Sequence, residues 1–182
     1  MKKAVICLAE GFEDVEAVMP IDLLRRAGVS VTVAGVTGWE IVSSRGLRLV
    51  ADALLADLVP GDADALILPG GMPGASNLAA SSDVTAWIKA CIAQDKIVAA
   101  ICASPAVVLG KAGVLKGKRF TCYPGNEKDV TDGIFVTEPV VIDGNIVTSR
   151  GVGTADAFAL ELIRLLAGKD MRDKVAKATL IE

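Results

Sequence analysis

Four short segments of the chain are apolar almost throughout, and this feature limits the possible folds more than any other. They are residues 3–9, 29–35, 65–69 and 96–102. A strand with one face in water alternates apolar and polar residues, whereas a strand buried on both faces is apolar along its whole length. The four segments therefore predict a parallel β-sheet that has helices packed on both of its faces.

The residues between these segments show helical periodicity. Over residues 84–92, apolar side chains recur at positions i, i+3, i+4, i+7 and i+8, which form one stripe on a helix. A second stripe runs over residues 155–166 and is followed by Gly168, at the position of a C-terminal cap. A further helix is predicted over residues 14–27, directly after the first strand.

Two segments interrupt the alternation of strands and helices. Residues 39–51 predict a small β-hairpin, and the sequence Asp-Gly-Asn at 143–145 is a turn signal between two short apolar strands. A length of 182 residues fits one domain, residues 1–182, without an internal repeat or linker. We predict a single doubly wound α/β domain with a mostly parallel sheet and a small hairpin. Ligands of such sheets bind at the carboxyl ends of the strands.

Composition excludes several classes of function. The chain contains no histidine, so Ser-His-Asp and Cys-His catalytic groups and imidazole metal sites are excluded. The four cysteines lie far apart without a CxxC pair, so we expect neither a zinc site, nor any other metal centre, nor a disulfide framework. A net charge of −3, no dense Lys/Arg cluster and 4% aromatic residues argue against specific nucleic-acid binding.

The distribution of apolar residues also bears on location. The apolar run at residues 4–9 is shorter than the core of a signal peptide. The longest uncharged stretch, residues 65–82, is interrupted by Pro69, Pro73 and several glycines, which a membrane-spanning helix disfavours. We therefore expect a cytoplasmic protein without a membrane segment.

Cys102 follows the fourth apolar segment and has the surroundings of a nucleophile elbow, a tight strand-to-helix turn with small residues on either side. Ala100 and Ser104 supply the small flanks, Ser104 can cap the next helix, and Pro105 suits its first turn. A helix end there would lower the pKa of Cys102 and favour a thiolate at neutral pH. The alternative is an inert core cysteine, which is what we expect of Cys7 and Cys91.

Two other strand ends carry candidate functional residues. Gly70 and Gly71 either permit a turn or let backbone N–H groups approach an oxyanion. Glu16 is either an ordinary acidic residue of a first helical turn or the acid/base partner of a cysteine. A carboxyl beside a thiolate has a raised pKa because of burial and the like charge, so it can keep its proton and pass it on.

These segments together resemble the ThiJ/PfpI superfamily, in the branch that contains the parkinsonism-associated protein deglycase and its bacterial relatives. The resemblance runs almost from end to end and is carried by residues 10–18, 20–28, 31–35, 66–78, 99–109 and 148–160. It implies a flavodoxin-like sandwich that forms a homodimer.

The resemblance also implies roles for individual residues. Cys102 matches an oxidisable nucleophile, Glu16 the protonated glutamate beside it, and Gly70 and Gly71 the backbone on the oxyanion side. With Ala103, Gly71 would supply the N–H groups that hold the oxyanion.

Three arginines and one tyrosine are matched in the same way. Arg45 matches an arginine near the site that is associated with the dimer. Arg26 and Arg150 match arginines that line the dimer cleft close to the cysteine. Tyr123 stands where many members have histidine. A phenol titrates near pH 10, so Tyr123 can orient a carbonyl but is a poor base at neutral pH. This departure argues against a cysteine peptidase or a glutamine amidotransferase.

The resemblance implies a glyoxalase that needs no glutathione, or a deglycase that repairs early methylglyoxal adducts of proteins and nucleotides. Such an enzyme needs no cofactor, and its partners are a small carbonyl substrate or a glycated protein or nucleotide. One alternative is a redox-sensing, chaperone-like stress protein that acts through oxidation of Cys102 with little turnover. The other is a structural homologue with an inactive site.

Overall fold

A seven-stranded sheet forms the centre of the computed structural model, which describes residues 1–181. The strands are β1 (Lys3–Leu8), β2 (Ser30–Gly35), β3 (Glu40–Val42), β4 (Arg48–Val50), β5 (Ala53–Leu54), β6 (Ala65–Leu68), β7 (Ile97–Ile101), β8 (Arg119–Phe120), β9 (Ile134–Phe135), β10 (Val140–Asp143) and β11 (Ile146–Ser149). In the central sheet the order is β10-β11-β7-β6-β1-β2-β5. β10 is antiparallel to β11, and the other neighbours are parallel.

Helices cover the sheet. They are α1 (Asp14–Arg26), α2 (Gly74–Ala80), α3 (Ser82–Ala93), α4 (Ala155–Ala167) and α5 (Lys169–Thr179). Short 3-10 segments occur in the connections, and a π-helical segment spans Pro105–Gly110. Within residues 1–181, no helix combines the length and the apolar composition that crossing a bilayer requires.

Side chains of the central strands are buried on both faces, as the sequence predicts. Along β1, Ile6 and Leu8 pack with residues of α1 and α4 on one face. The alternate residues Val5 and Cys7 pack with Trp87 and other residues of α3 on the opposite face. The prediction of a doubly wound, mostly parallel α/β sheet is therefore confirmed.

The two predicted interruptions are hairpins. β3 and β4 pair antiparallel in a small sheet of their own, and β10 and β11 pair antiparallel at one edge of the central sheet. Gly144 closes the second hairpin with φ of +63°, a conformation that glycine adopts without strain. The predicted C-terminal cap of α4 is also present, because Gly168 follows the helix with φ of +91°.

The strand order determines where a ligand can bind. From β1 the chain moves to β2 on one side, and β6 then pairs with β1 on the other side. The connections at the carboxyl ends of β1 and β6 therefore diverge and leave a crevice, which is the usual binding position in an open α/β sheet. The segments that contain Glu16, Gly70 and Cys102 all begin at this edge.

Candidate active site

A cavity of about 730 Å³ opens at the carboxyl edge of the sheet. It is formed by the first turn of α1, the β3–β4 hairpin, and the segments that follow β6, β7, β8 and β11. Its lining consists of Glu13, Glu16, Ser44, Arg45, Gly71, Met72, Cys102, Tyr123, Pro124, Arg150, Gly151, Val152, Gly153 and Thr154. Residues that are far apart in the chain thus meet in one space large enough for an organic ligand.

Cys102 lines this cavity and has a strained backbone conformation. Its φ is +66°, in the left-handed region that costs a non-glycine residue about 1–2 kcal/mol. Two hydrogen bonds hold the backbone there: the Cys102 N–H donates to the Ser149 carbonyl (3.0 Å), and the Tyr123 N–H donates to the Cys102 carbonyl (2.7 Å). The side chain is partly exposed, whereas Cys7, Cys91 and Cys122 are buried. The predicted elbow geometry is present.

The expected role of Ser104 is wrong. Ser104 has helical backbone angles, and its side chain does not cap a helix. Instead, the Ser104 hydroxyl donates a hydrogen bond to the carbonyl of Pro69 (2.5 Å). This bond connects the segment after β7 to the segment after β6, so Ser104 fixes the cysteine turn relative to the neighbouring glycines.

Glu16 is fully buried in the first turn of α1. Its Oε2 atom accepts a hydrogen bond from the Gly70 N–H (3.0 Å), and its own N–H donates to the Glu13 carboxylate, which caps the helix (2.9 Å). The second oxygen, Oε1, is buried and has no hydrogen-bond partner among residues 1–181. Glu16 therefore presents an unpaired carboxyl oxygen at the wall of the cavity.

Glu16 and Cys102 perturb one another. Burial raises the pKa of Glu16 from 4.5 to about 7. Burial, together with the charge and the side chain of Glu16, raises the pKa of Cys102 from 9.0 to about 12. The prediction that a helix end lowers the pKa of Cys102 is therefore wrong, because only a short π-helical segment follows and burial beside a carboxyl outweighs it. The direction expected for the pKa of Glu16 is confirmed and burial is its main cause, but the Cys102 side chain lowers this pKa rather than raising it.

The two glycines after β6 have different roles. The Gly70 N–H is already used by Glu16, so it is not free to hold an oxyanion, contrary to the expectation. Gly70 instead makes room: a Cβ there would lie 2.6 Å from the Cys102 Cβ and 2.7 Å from Glu16 Oε2. The N–H groups of Gly71 and Ala103 point to the Cys102 sulfur, where they oppose the rise in its pKa. They are the pair of donors that an oxyanion at this position would meet.

Three of the four remaining predicted residues reach the cavity. Arg45, Tyr123 and Arg150 line it. Arg26 does not line the cavity within this chain, and its expected place in a dimer cleft stays a prediction. Arg26 lies ten residues after Glu16 on α1, about 15 Å along the helix, and its Nε pairs with Asp22 (2.8 Å).

A hydroxyl pair behind Arg150 was missed by the sequence analysis. Thr154 Oγ1 lies 2.7 Å from the buried Ser149 Oγ and accepts hydrogen bonds from the N–H groups of Arg150 (3.2 Å) and Gly151 (3.1 Å). This network fixes the turn that presents Arg150 and places Gly151 near Glu16 Oε1. The only signal in the sequence is a run of small and hydroxyl residues after a strand, which also occurs in ordinary turns.

The fold and the site define a class: doubly wound α/β proteins with a strained cysteine at the carboxyl edge of the sheet, facing a buried carboxyl. The chain belongs to the DJ-1/PfpI family, whose model matches residues 2–165. The resemblance seen in the sequence is therefore confirmed.

Curated relatives cover nearly all of the chain. Protein dj-1beta from Drosophila melanogaster is 40% identical over 99% of this chain and 97% of that protein. Glutathione-independent glyoxalase DJR-1.2 from Caenorhabditis elegans is 33% identical over 97% of this chain and 95% of that protein. Protein DJ-1 homolog B from Arabidopsis thaliana is 39% identical over 97% of this chain, which spans only 41% of that longer protein.

A solved structure shows the same fold. The crystal structure of a DJ-1 superfamily protein from Salmonella typhimurium, a cysteine-to-alanine mutant, superimposes with a TM-score of 0.97 at 36% identity. The match covers 100% of both chains.

Proposed function

We propose that this protein is a cysteine-dependent, cofactor-independent glyoxalase and deglycase. Its substrates would be methylglyoxal and the early adducts of glyoxals on proteins or nucleotides, so that it protects against carbonyl and oxidative stress. The observation that carries the proposal is the pairing of Cys102 with the buried carboxyl of Glu16 at the cavity, beside the N–H groups of Gly71 and Ala103. The relative named as a glutathione-independent glyoxalase supports it.

The nucleophile arises from the pair rather than from Cys102 alone. Because Glu16 has a pKa of about 7, the pair carries one negative charge above that pH and retains one proton. When this proton lies on Glu16, the sulfur is a thiolate, which the N–H groups of Gly71 and Ala103 stabilise. Glu16 thus takes the part that an imidazole has in other cysteine enzymes.

The reaction needs no external oxidant or reductant. The thiolate attacks the aldehyde carbon of R–CO–CHO, and the resulting oxyanion takes up the proton of Glu16. Glu16, now a carboxylate, removes the proton from the same carbon to give an enediolate and returns it to the neighbouring carbon. The hydroxyl proton on the first carbon passes to the oxygen of the neighbouring carbon. The product is a thioester of a 2-hydroxy acid, and water hydrolyses it to release R–CHOH–COO⁻ and H⁺.

An early amine adduct follows the same path after it releases the amine. In balance, R–NH–CH(OH)–CO–CH₃ and water give R–NH₂ and lactic acid. The neighbouring ketone accepts the electron pair at the enediol step, so the reaction is an internal transfer of hydrogen between two carbons.

The direct test is the formation of lactate from methylglyoxal without glutathione. We expect turnover by the wild type, a loss of at least about 1,000-fold in Cys102→Ser, and of about 100-fold in Glu16→Gln. Cys122→Ala is the matched control, because it removes a buried thiol outside the cavity lining. Equal rates in the wild type, Cys102→Ser and Glu16→Gln would disprove the mechanism.

A second test examines the shared proton. The rate of Cys102 alkylation by iodoacetamide should rise with an inflection near pH 7 in the wild type, where Glu16 titrates. In Glu16→Gln the sulfur must ionise alone in a buried position, so the inflection should move above pH 9. An inflection at the same pH in both proteins would show that Glu16 does not hold the proton.

The second candidate function is redox sensing. Of the four cysteines, all within residues 1–181, Cys102 is the one that is not buried, so oxidants reach it first. Glu16 could donate a hydrogen bond to a sulfinate formed there. Intact-mass measurement after mild peroxide separates the functions: a selective gain of two oxygens at Cys102 with negligible turnover favours sensing. Rapid turnover without selective oxidation favours the enzyme.

We also propose that the protein is a cytoplasmic homodimer. An apolar patch beside the cavity supports the dimer, because Val15, Val18 and Leu47 are 38%, 42% and 43% exposed and line a common depression. Light scattering tests the dimer directly, and a monomer at micromolar concentration would contradict it.

A further inference from the structure

Two arginines differ from all the others in residues 1–181. The six that form ion pairs with aspartate or glutamate are Arg25, Arg26, Arg48, Arg119, Arg164 and Arg172. Arg45 and Arg150 have no carboxylate within ion-pairing distance, and neither side chain donates a hydrogen bond to another residue in this part of the chain. The two unpaired guanidinium groups line the same cavity as Cys102.

The cavity is also larger than a three-carbon aldehyde requires. Its volume of about 730 Å³ lies in the range of roughly 300–1,000 Å³ that holds drug-sized ligands. The acidic groups of the lining are already engaged. Glu13 caps α1, and Glu16 accepts a hydrogen bond from Gly70 through one oxygen and interacts with the Cys102 side chain. The arginines are therefore the charged groups of the cavity that lack a partner.

A guanidinium is always charged and carries donors in a planar fork that matches a carboxylate or a phosphate. Arg150 is held in place by the bond from its N–H to Thr154 Oγ1. We infer that the preferred substrates are carbonyl compounds that also carry an anionic group, a carboxylate or a phosphate, which Arg45 and Arg150 bind while the carbonyl meets Cys102. This inference rests on the proposed function and specifies its substrate class.

The first test uses two alkylating agents of nearly the same size, anionic iodoacetate and neutral iodoacetamide, and needs no catalytic turnover. The rate with iodoacetate divided by the rate with iodoacetamide is measured at Cys102, which is identified by peptide mass. This ratio is compared with the same ratio for free cysteine. We expect the Cys102 ratio to be about tenfold higher, because the arginines concentrate the anion. Raising NaCl from 0.01 to 1 M should remove most of the difference, because salt screens the charges.

Variants identify the residues responsible. The ratio should fall in Arg45→Gln and Arg150→Gln, fall furthest in the double variant, and stay high in Arg150→Lys. Arg164→Gln is the control, because it removes an arginine that pairs with Glu161 outside the cavity. A wild-type ratio equal to that of free cysteine and independent of salt would overturn the inference. A double variant whose rate ratio equals that of the wild type, with only its oligomeric state changed, would also overturn the inference.

The second test uses substrates. 4,5-Dioxopentanoate and its neutral amide share the reacting R–CO–CHO group, and the wild type should favour the anion in kcat/KM by about tenfold. Protection of Cys102 from iodoacetamide by inorganic phosphate or by acetate distinguishes the two anionic groups, and protection by neither contradicts the inference. If the protein turns over neither substrate but keeps the raised alkylation ratio, the proposed function is refuted and the anion site is supported. If it turns over both substrates equally, the inference about the anion site is refuted and the proposed function is supported.

Discussion

The strands of the central sheet and the turns at their carboxyl ends differ in backbone regularity and in the pairing of their polar groups. β6 and β7 pair in a regular parallel register from Ala65↔Ile97 to Leu68↔Ala100, with nearly every side chain buried. A few residues further on, Cys102 has a positive φ and Glu16 Oε1 has no hydrogen-bond partner among residues 1–181. Stability therefore resides in the strands, and the turns hold the strained and unpaired groups that chemistry requires.

The largest expected effect tests whether the strands can be weakened without changing the turns. Ile6 is fully buried in the middle of β1, so Ile6→Ala should lower the free energy of unfolding by about 2–5 kcal/mol. Turnover per folded molecule should not change. Urea denaturation measures the first quantity and methylglyoxal turnover the second. A tenfold loss of turnover in the folded variant would show that the two regions are not separable.

The next effect is the pH dependence of the free energy of unfolding, which arises from Glu16 at the carboxyl edge of the sheet. Folded Glu16 keeps its proton up to a pH of about 7, because burial raises its pKa, whereas in the unfolded chain it loses the proton near 4.5. Unfolding therefore releases a proton in this window. The free energy of unfolding falls as the pH rises, by about 3 kcal/mol in total.

Glu16→Gln removes this dependence, because glutamine does not titrate. The stability of Glu16→Gln relative to the wild type should increase by about 3 kcal/mol between pH 4.5 and pH 7, as measured by denaturation at several pH values. Parallel curves for the two proteins would mean that Glu16 is ionised in the folded state across the range.

The smallest effect tests the hydroxyl network behind Arg150. Thr154→Val leaves the N–H groups of Arg150 and Gly151 without their acceptor and should cost about 1–2 kcal/mol of stability. It should also lower the iodoacetate to iodoacetamide ratio at Cys102, because Arg150 is no longer held. Thr154→Ser keeps the oxygen and should restore both values. A lower stability with an unchanged ratio in Thr154→Val would limit Thr154 to a structural role.

For the elements that the sequence predicts, most boundaries agree with the structure to within about a residue, whereas α2, α5, β5, β8 and β9 were not predicted. The segment 29–35 becomes Ser30–Gly35, and the helix over 14–27 becomes Asp14–Arg26. Continuous apolar strands and the apolar stripes of helices are patterns of neighbouring residues, so they can be recognised in one sequence. The elbow at Cys102 was predictable for the same reason, since its small flanks lie within two residues.

The contacts of the site could not be predicted in this way, because they join distant parts of the chain. The Ser104 bond to Pro69 spans 35 residues, and the Glu16 bond to Gly70 spans 54. The pKa of Cys102 depends on burial, which the local helix end does not reveal. The expected place of Arg26 in a dimer cleft stays a prediction, because it depends on a second copy of the chain.

The two backbone hydrogen bonds at Cys102 have a practical consequence for redesign. They fix the sulfur to β11 and to the segment after β8, whereas Met72 and Val152 contribute half-exposed side chains to the same cavity. A combinatorial library at these two positions would reshape the wall around a reactive atom that stays in place. The scaffold thus offers a route to biocatalysts for other aldehydes.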